Sequence, residues 1–261
     1  SSGTPETSAI TNVATVVGGW NGFTQLVGEA NGIAYGNGMY VSAGNSPRQL
    51  MYSPDAVSWT TVDIATKTWV DVAFGDGKFV LVADNHETLY SSNGIDWIEG
   101  SAGGRENNYE HPTQFIRYLG PVGSEKFYLF GGNTAGNKYF WTSTDGVTGW
   151  TQQQPGLPPT TGYDMTYANG LYLVVGKLGP GNANTMYSTD GVNFVSYRIG
   201  QLTQGNYGIA YGNGVWVASV GEEQLWYSTK YNPTLAEHWT QATYPNLAGN
   251  FYQVRYDGIG T

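Results

Sequence analysis

Cysteine is absent from all 261 residues, which excludes disulfide staples, thiolate metal sites and a cysteine nucleophile. Charge is scarce too. The 11 Lys and Arg and 20 Asp and Glu make up 12% of the chain, about half the usual ~25%. Basic groups are so few that the net charge is −9. A phosphate backbone is repelled by such a surface, so no nucleic acid partner is expected. Long apolar runs are missing as well. The longest uncharged stretch near the start, Thr7 to Gly28, is filled with Thr, Asn and Gly, so no membrane insertion is expected. That stretch also lacks the basic opening of a signal peptide. The chain begins on Ser1, which reads as a processed or excised piece.

What is present points to strands. The sequence holds 38 Gly, 20 Tyr and 9 Trp, far too aromatic for a disordered chain, and no segment sustains the 3.6-residue period of a helix. One motif recurs as MYSPDAVSW (Met51–Trp59), LYSSNGIDW (Leu89–Trp97), WTSTDGVTGW (Trp141–Trp150) and MYSTDGVNF (Met186–Phe194), with a stretched copy over Trp226–Trp239 and a degenerate one over Val16–Phe23. The closing aromatics are spaced 36, 38, 53, 44 and 45 residues apart. A second motif precedes these: IAYGNG at Ile33, VAFGDG at Val72, IRYLGPVG at Ile116, MTYANG at Met165, IAYGNG at Ile209 and VRYDGIG at Val254. Five of its copies lead into an apolar run. Short β-branched and aromatic runs joined by N-G or D-G pairs read as hairpins.

A four-stranded repeat of this length is the size of a propeller blade. The expected fold is all-β: a six-bladed β-propeller of four-stranded antiparallel blades, forming one domain. The blades fall at approximately 29–64, 69–100, 112–154, 161–200 and 204–243, with 250–261 closing against 9–28 in a composite blade. Five blades is the alternative count, because no clear second strand follows Gly260.

The turn motif resembles the Asp-box, or BNR repeat, of sialidases and other propellers, and the blade phrase is similar to repeats of phage tail and fibre proteins. Its residues are Ser53, Asp55 and Trp59; Ser91, Asn93 and Trp97; Ser143, Asp145 and Trp150; and Ser188, Asp190 and Phe194. An Asp or Asn there accepts backbone N–H bonds two residues on, so these groups read as turn staples rather than metal ligands. The resemblance to sialidases implies an arginine triad and an F/Y-R-I-P motif. The nearest string, Phe115-Ile116-Arg117-Tyr118, has the wrong order, and Arg117 and Arg255 occupy equivalent repeat positions. His86, His111 and His238 show no metal-ligand spacing. No catalytic residue, metal or cofactor is expected.

Chain order puts the N-G and Asp-box turns on one face and the longer interblade loops on the other, where function concentrates. Candidate ligand-binding residues on that face are Arg48, His86, Glu87, Arg105, Asn107, Asn108, Tyr109, Glu110 and His111. Trp69, Tyr163, Tyr207 and Tyr252, just before first strands, are expected to ring the channel mouth. Amides, carboxylates and aromatic faces together suit a sugar. The expected role is a non-catalytic recognition module, extracellular or on a virion surface, binding a cell-surface glycan, a host-surface receptor or another virion protein. Two alternatives stand beside it: a purely structural decoration or fibre component, and a divergent glycoside hydrolase.

Overall fold

The computed structural model describes residues 30–44, 50–62, 64, 67–101, 113–132, 138–153, 161–177, 183–200, 206–220, 224–243 and 254–255. Twenty strands form five sheets of four, each antiparallel and each in simple chain order. The first sheet holds β1 (Ala30–Gly36), β2 (Met39–Gly44), β3 (Leu50–Ser53) and β4 (Thr60–Val62). The second holds β5 (Trp69–Gly75), β6 (Lys78–Ala83), β7 (Thr88–Ser91) and β8 (Ile98–Glu99). In the third are β9 (Thr113–Leu119), β10 (Lys126–Gly132), β11 (Lys138–Ser143) and β12 (Thr151–Gln153). The fourth comprises β13 (Thr161–Ala168), β14 (Leu171–Lys177), β15 (Thr185–Ser188) and β16 (Val195–Tyr197). The fifth has β17 (Asn206–Gly212), β18 (Val215–Val220), β19 (Gln224–Ser228) and β20 (Thr240–Gln241), with a single 3₁₀ turn at Ala236–His238 before β20. The count over the described residues is therefore five blades. The residues expected to form a composite sixth blade lie outside them, apart from Val254 and Arg255.

Turn chemistry sets the first hairpin in four of the five described blades. Asn37-Gly38, Asp76-Gly77, Asn169-Gly170 and Asn213-Gly214 all have both φ angles positive, between 47° and 80°, which is the type I′ geometry that matches strand twist. The asparagines also tie blades together. The Asn37 side-chain amide donates to the carbonyls of Gly77 and Ser92, at 3.0 and 2.9 Å.

Stability comes from the faces between blades. Four apolar clusters each join two successive sheets: Val41 and Leu50 with Phe79 and Leu81; Val80 and Val82 with Ile116 and Phe127; Phe115 and Phe140 with Met165 and Tyr172; Leu171 and Leu173 with Ile209 and Trp216. Because both faces of an interior blade are covered, its strands are apolar at successive positions, as in Phe79, Val80, Leu81 and Val82. Blade approach is close enough to demand glycine. A Cβ on Gly75 would lie 2.1 Å from the Tyr118 ring, and one on Gly36 would lie 2.2 Å from the Phe74 ring.

At the turns between third and fourth strands, one side-chain oxygen organises the loop. Asp190 Oδ1 accepts the Ser188 hydroxyl and the N–H groups of Val192 and Asn193, each at 2.8 Å. Asp55, Asn93 and Asp145 repeat that pattern. The closing aromatics differ in cover. Phe194 and Trp239 are buried, whereas Trp59, Trp97 and Trp150 are half-buried. The Trp59 and Trp97 indoles donate to the carbonyls of Ala56 and Gly94.

Hydrogen bonds from Asn193 and Val192 hold the Asp190 carboxyl below its ordinary range, and bonds from Ser58 and Val57 do the same for Asp55. Burial raises Asp145, but the donors Thr148 and Val147 outweigh it and bring the carboxyl down to about 2. A depressed carboxylate contributes stability above its unfolded value of ~3.9 and loses it as pH falls through the folded value. Urea unfolding between pH 5 and pH 2 is therefore expected to show steep acid destabilisation. It should be shallower in the Asp145→Asn, Asp190→Asn double variant; parallel curves would contradict the assignment.

Candidate functional site

The first strands pack side by side in the order β1, β5, β9, β13, β17, and a cavity of about 660 Å³ is lined by β1, β5 and β9 together with Tyr163 of β13 and Arg255. Each first strand carries one extra residue at the same repeat position. The ladder with the second strand skips Asn31, Val70, Gln114, Tyr163 and Tyr207 in turn. A bulge re-aims the side chain it frees. Four of these five line the cavity, and Tyr207 stacks on Tyr163 with centroids 5.3 Å apart and planes 13° from parallel. Burial, with Tyr207 beside it, pushes the Tyr163 hydroxyl up.

One step along the strands lies a charged layer. Asp71 and Asp164 occupy the same repeat position, and each bonds the next amide of its own strand, Val72 at 2.9 Å and Met165 at 3.0 Å. Each also reaches the first strand of the next blade, Ile116 N and Ile209 N, both at 3.2 Å. Arg117 stands between the two carboxylates. Its Nη1 meets Asp71 Oδ2 at 2.5 Å, while Nε and Nη2 grip Asp164 Oδ1 at 3.1 and 2.8 Å. Arg255 Nη1 adds a bond of 2.5 Å to Asp164 Oδ2. Burial draws the Arg117 guanidinium down, but the two carboxylates more than reverse this and hold it above its ordinary value. Desolvation raises the Asp71 carboxyl, and Arg117 opposes the rise. Gly32 holds the matching position in the first blade, where a Cβ would lie 2.2 Å from Asp71 Oδ1.

The sequence-derived candidates scatter. Tyr163 lines the cavity and Tyr207 stacks on it. Trp69 does not: it is 1% exposed and packs with Val41, Leu50 and Phe79. The reason is parity. Trp69 precedes the bulge by one residue, so it faces the core while Val70 faces the cavity. His86, with a φ of 66°, is buried with its ring 4.6 Å from Trp141. Glu87 pairs with Lys67. Arg48, Arg105, Asn107, Asn108, Tyr109, Glu110, His111 and Tyr252 lie outside the described residues. Sequence reasoning missed Asn31 and Gln114, whose only signal is their offset from the second motif, and it read Arg117 as a product of repeat symmetry.

No protein-family model matches the chain, and no curated protein matches it in sequence. Solved structures do match, and they are β-propeller proteins. YCF48 bound to D1 peptide aligns with a TM-score of 0.57 at 15% identity, covering 82% of this chain and 66% of that one, just under two thirds. The nidogen/laminin complex aligns with a TM-score of 0.60 at 10% identity, covering 88% and 85%. Streptogramin B lyase gives 0.56 at 10%, covering 89% of each chain. At these identities the likeness establishes the β-propeller fold.

Removing Arg117 takes from the buried Asp71 its cationic partner and from the buried Asp164 one of its two. Arg117→Met is expected to lower stability by about 3–5 kcal/mol, read by urea unfolding at pH 7. A loss below about 1 kcal/mol would show that the cluster does not hold the blades together.

Proposed function

We propose that the chain is a non-catalytic recognition module that takes a protein partner at the mouth of its central channel. The observation carrying this reading is the bulge repeated in all five described blades, which brings four of the freed side chains to the cavity wall and stacks the fifth, Tyr207, on Tyr163. A rigid ring of fixed backbone geometry thus presents a variable set of tips: an amide from Asn31, another from Gln114, a methyl surface from Val70, and the tyrosine pair. Such a mixture suits recognition. Two of the structurally similar chains are known in complexes, one with D1 peptide and one pairing nidogen with laminin, which supports a protein partner here.

Carbohydrate is the second reading, because amides beside an aromatic face match a sugar's hydroxyl groups and C–H surface. The finer setting in this proposal is outside the cell or on a virion, where the module meets a host-surface receptor or glycan. Its basis is the composition and the resemblance of the repeats.

We further propose that a sixth blade, assembled from 250–261 and 9–28, completes the ring. Its support lies in blade faces that are otherwise covered. Ile33 is 62% exposed, whereas its repeat equivalents Val72, Ile116, Met165 and Ile209 are 3%, 0%, 2% and 2% exposed. Tyr35 is exposed on the same face. On the far side, Val215 and Val217 are half-buried where Leu171 and Leu173 are fully covered. Among the described residues, β17 and β1 do not pack on each other as the other neighbouring first strands do.

Two measurements check these statements. Ile33→Asp is expected to destabilise the full chain by about 2 kcal/mol or more if the face is covered, against about 0.5 kcal/mol or less at an open surface. For the function, the full chain is applied to immobilised peptide and glycan arrays alongside Tyr163→Ala. Binding that weakens about tenfold or more in the variant, with its melting temperature unchanged, supports a site at the channel mouth. Binding indifferent to Tyr163→Ala, hydrolysis of a bound glycan, or no binding above background would each contradict the proposal.

A further inference from the structure

Arg117 and Arg255 sit at the same repeat position, in Ile116-Arg117-Tyr118 and Val254-Arg255-Tyr256, and they begin with the same contacts. In each, Nη1 bonds the Oδ2 atom of a buried aspartate at 2.5 Å and the carbonyl of the preceding residue, Ile116 at 2.7 Å or Val254 at 3.0 Å. The two arginines differ at the other edge of the guanidinium. In Arg117 the Nε and Nη2 atoms hold a carboxylate oxygen, Asp164 Oδ1. In Arg255 they have no partner among the described residues, the side chain is 49% exposed, and it lines the cavity. The residue matching Asp164 in the first blade is Gly32, which has no side chain to offer and stands on the same cavity wall.

We propose that the Nε–Nη2 edge of Arg255 is the anchor for a carboxylate brought by the partner protein. This rests on the reading of the channel as a protein-binding site and deepens it. Repetition within the molecule supplies the chemistry: the equivalent edge of Arg117 already holds a carboxylate oxygen, with Nε and Nη2 converging on Asp164 Oδ1. Arg255 is free to do so because Asp164 does not depend on it. Asp164 keeps Arg117, Met165 N and Ile209 N in any case. The carboxylate comes from a chain terminus or from an Asp or Glu side chain.

The test applies the full chain to immobilised hexapeptides in matched sets. One set has free C-terminal carboxylates, a second is C-terminally amidated, and a third has every Asp and Glu replaced by Asn and Gln. Blocking the recognised carboxylate is expected to weaken retention about ten- to hundredfold. Loss on amidation assigns the terminus, and loss in the third set assigns a side chain. Arg255→Met should produce the same loss and abolish the difference between blocked and unblocked peptides while the variant stays fully folded at the assay temperature, and Arg255→Lys retains part of the affinity. Peptides that bind in a Tyr163-dependent way but ignore both blocking and Arg255→Met would overturn the carboxylate anchor and leave the protein-binding site standing. Retention of carboxylated sugars alone would overturn the peptide source, and retention of nothing would overturn both readings.

Discussion

A carboxylate that is 2% exposed has to replace its water with other donors, and Asp164 does so with five hydrogen bonds from four segments. Its own strand supplies Met165 N, the next blade Ile209 N, the previous blade Arg117, and the C-terminal region Arg255. Each bond is charge-assisted, and all but the one from Met165 cross to a part of the chain that apolar packing alone would only press nearby. Asp71 does a smaller version of the same work with Val72, Ile116 and Arg117. Apolar faces supply the bulk of the stabilisation. The carboxylates set the spacing of strands round the channel, and so the positions of everything that lines it.

That spacing explains several local requirements. Close approach of first strands is why Gly32 cannot carry a side chain against Asp71, and why Gly36 and Gly75 lie under the aromatic rings of the following blade. It also makes the bulges useful. A regular strand would alternate its side chains between two covered blade faces; one extra residue per strand breaks the alternation and delivers a side chain to the cavity instead. The same framework thus builds the scaffold and the site.

Much of the fold was legible in the sequence because turn chemistry is local. Asn37-Gly38 and Asn213-Gly214 announce hairpins, and Asp145 or Asp190 two residues after a serine announces a stapled turn. The repeated aromatics then give the size of the unit. The site was less legible. Bulges leave no common residue, since the skipped positions are Asn, Val, Gln, Tyr and Tyr. A tyrosine there looked like an aromatic at the mouth, and so did Trp69, one residue too early and turned into the core. The role of Arg117 was hidden for a different reason. Its partners, Asp71 and Asp164, are 46 and 47 residues away in sequence, and only the closure of one blade on the next brings them together. His86, a polar residue in a loop, read as a ligand contact, yet Trp141 from the neighbouring blade covers its ring.

If Asp164 organises the centre, its removal acts at named amides rather than uniformly. Native-state hydrogen exchange on Asp164→Asn, followed residue by residue, tests this most directly. The account expects Met165 and Ile209 N–H to lose protection well beyond the global change in stability, while Val72 and Ile116, held by Asp71, keep theirs. Unchanged protection at Ile209, or a loss spread evenly over all first strands, would contradict it.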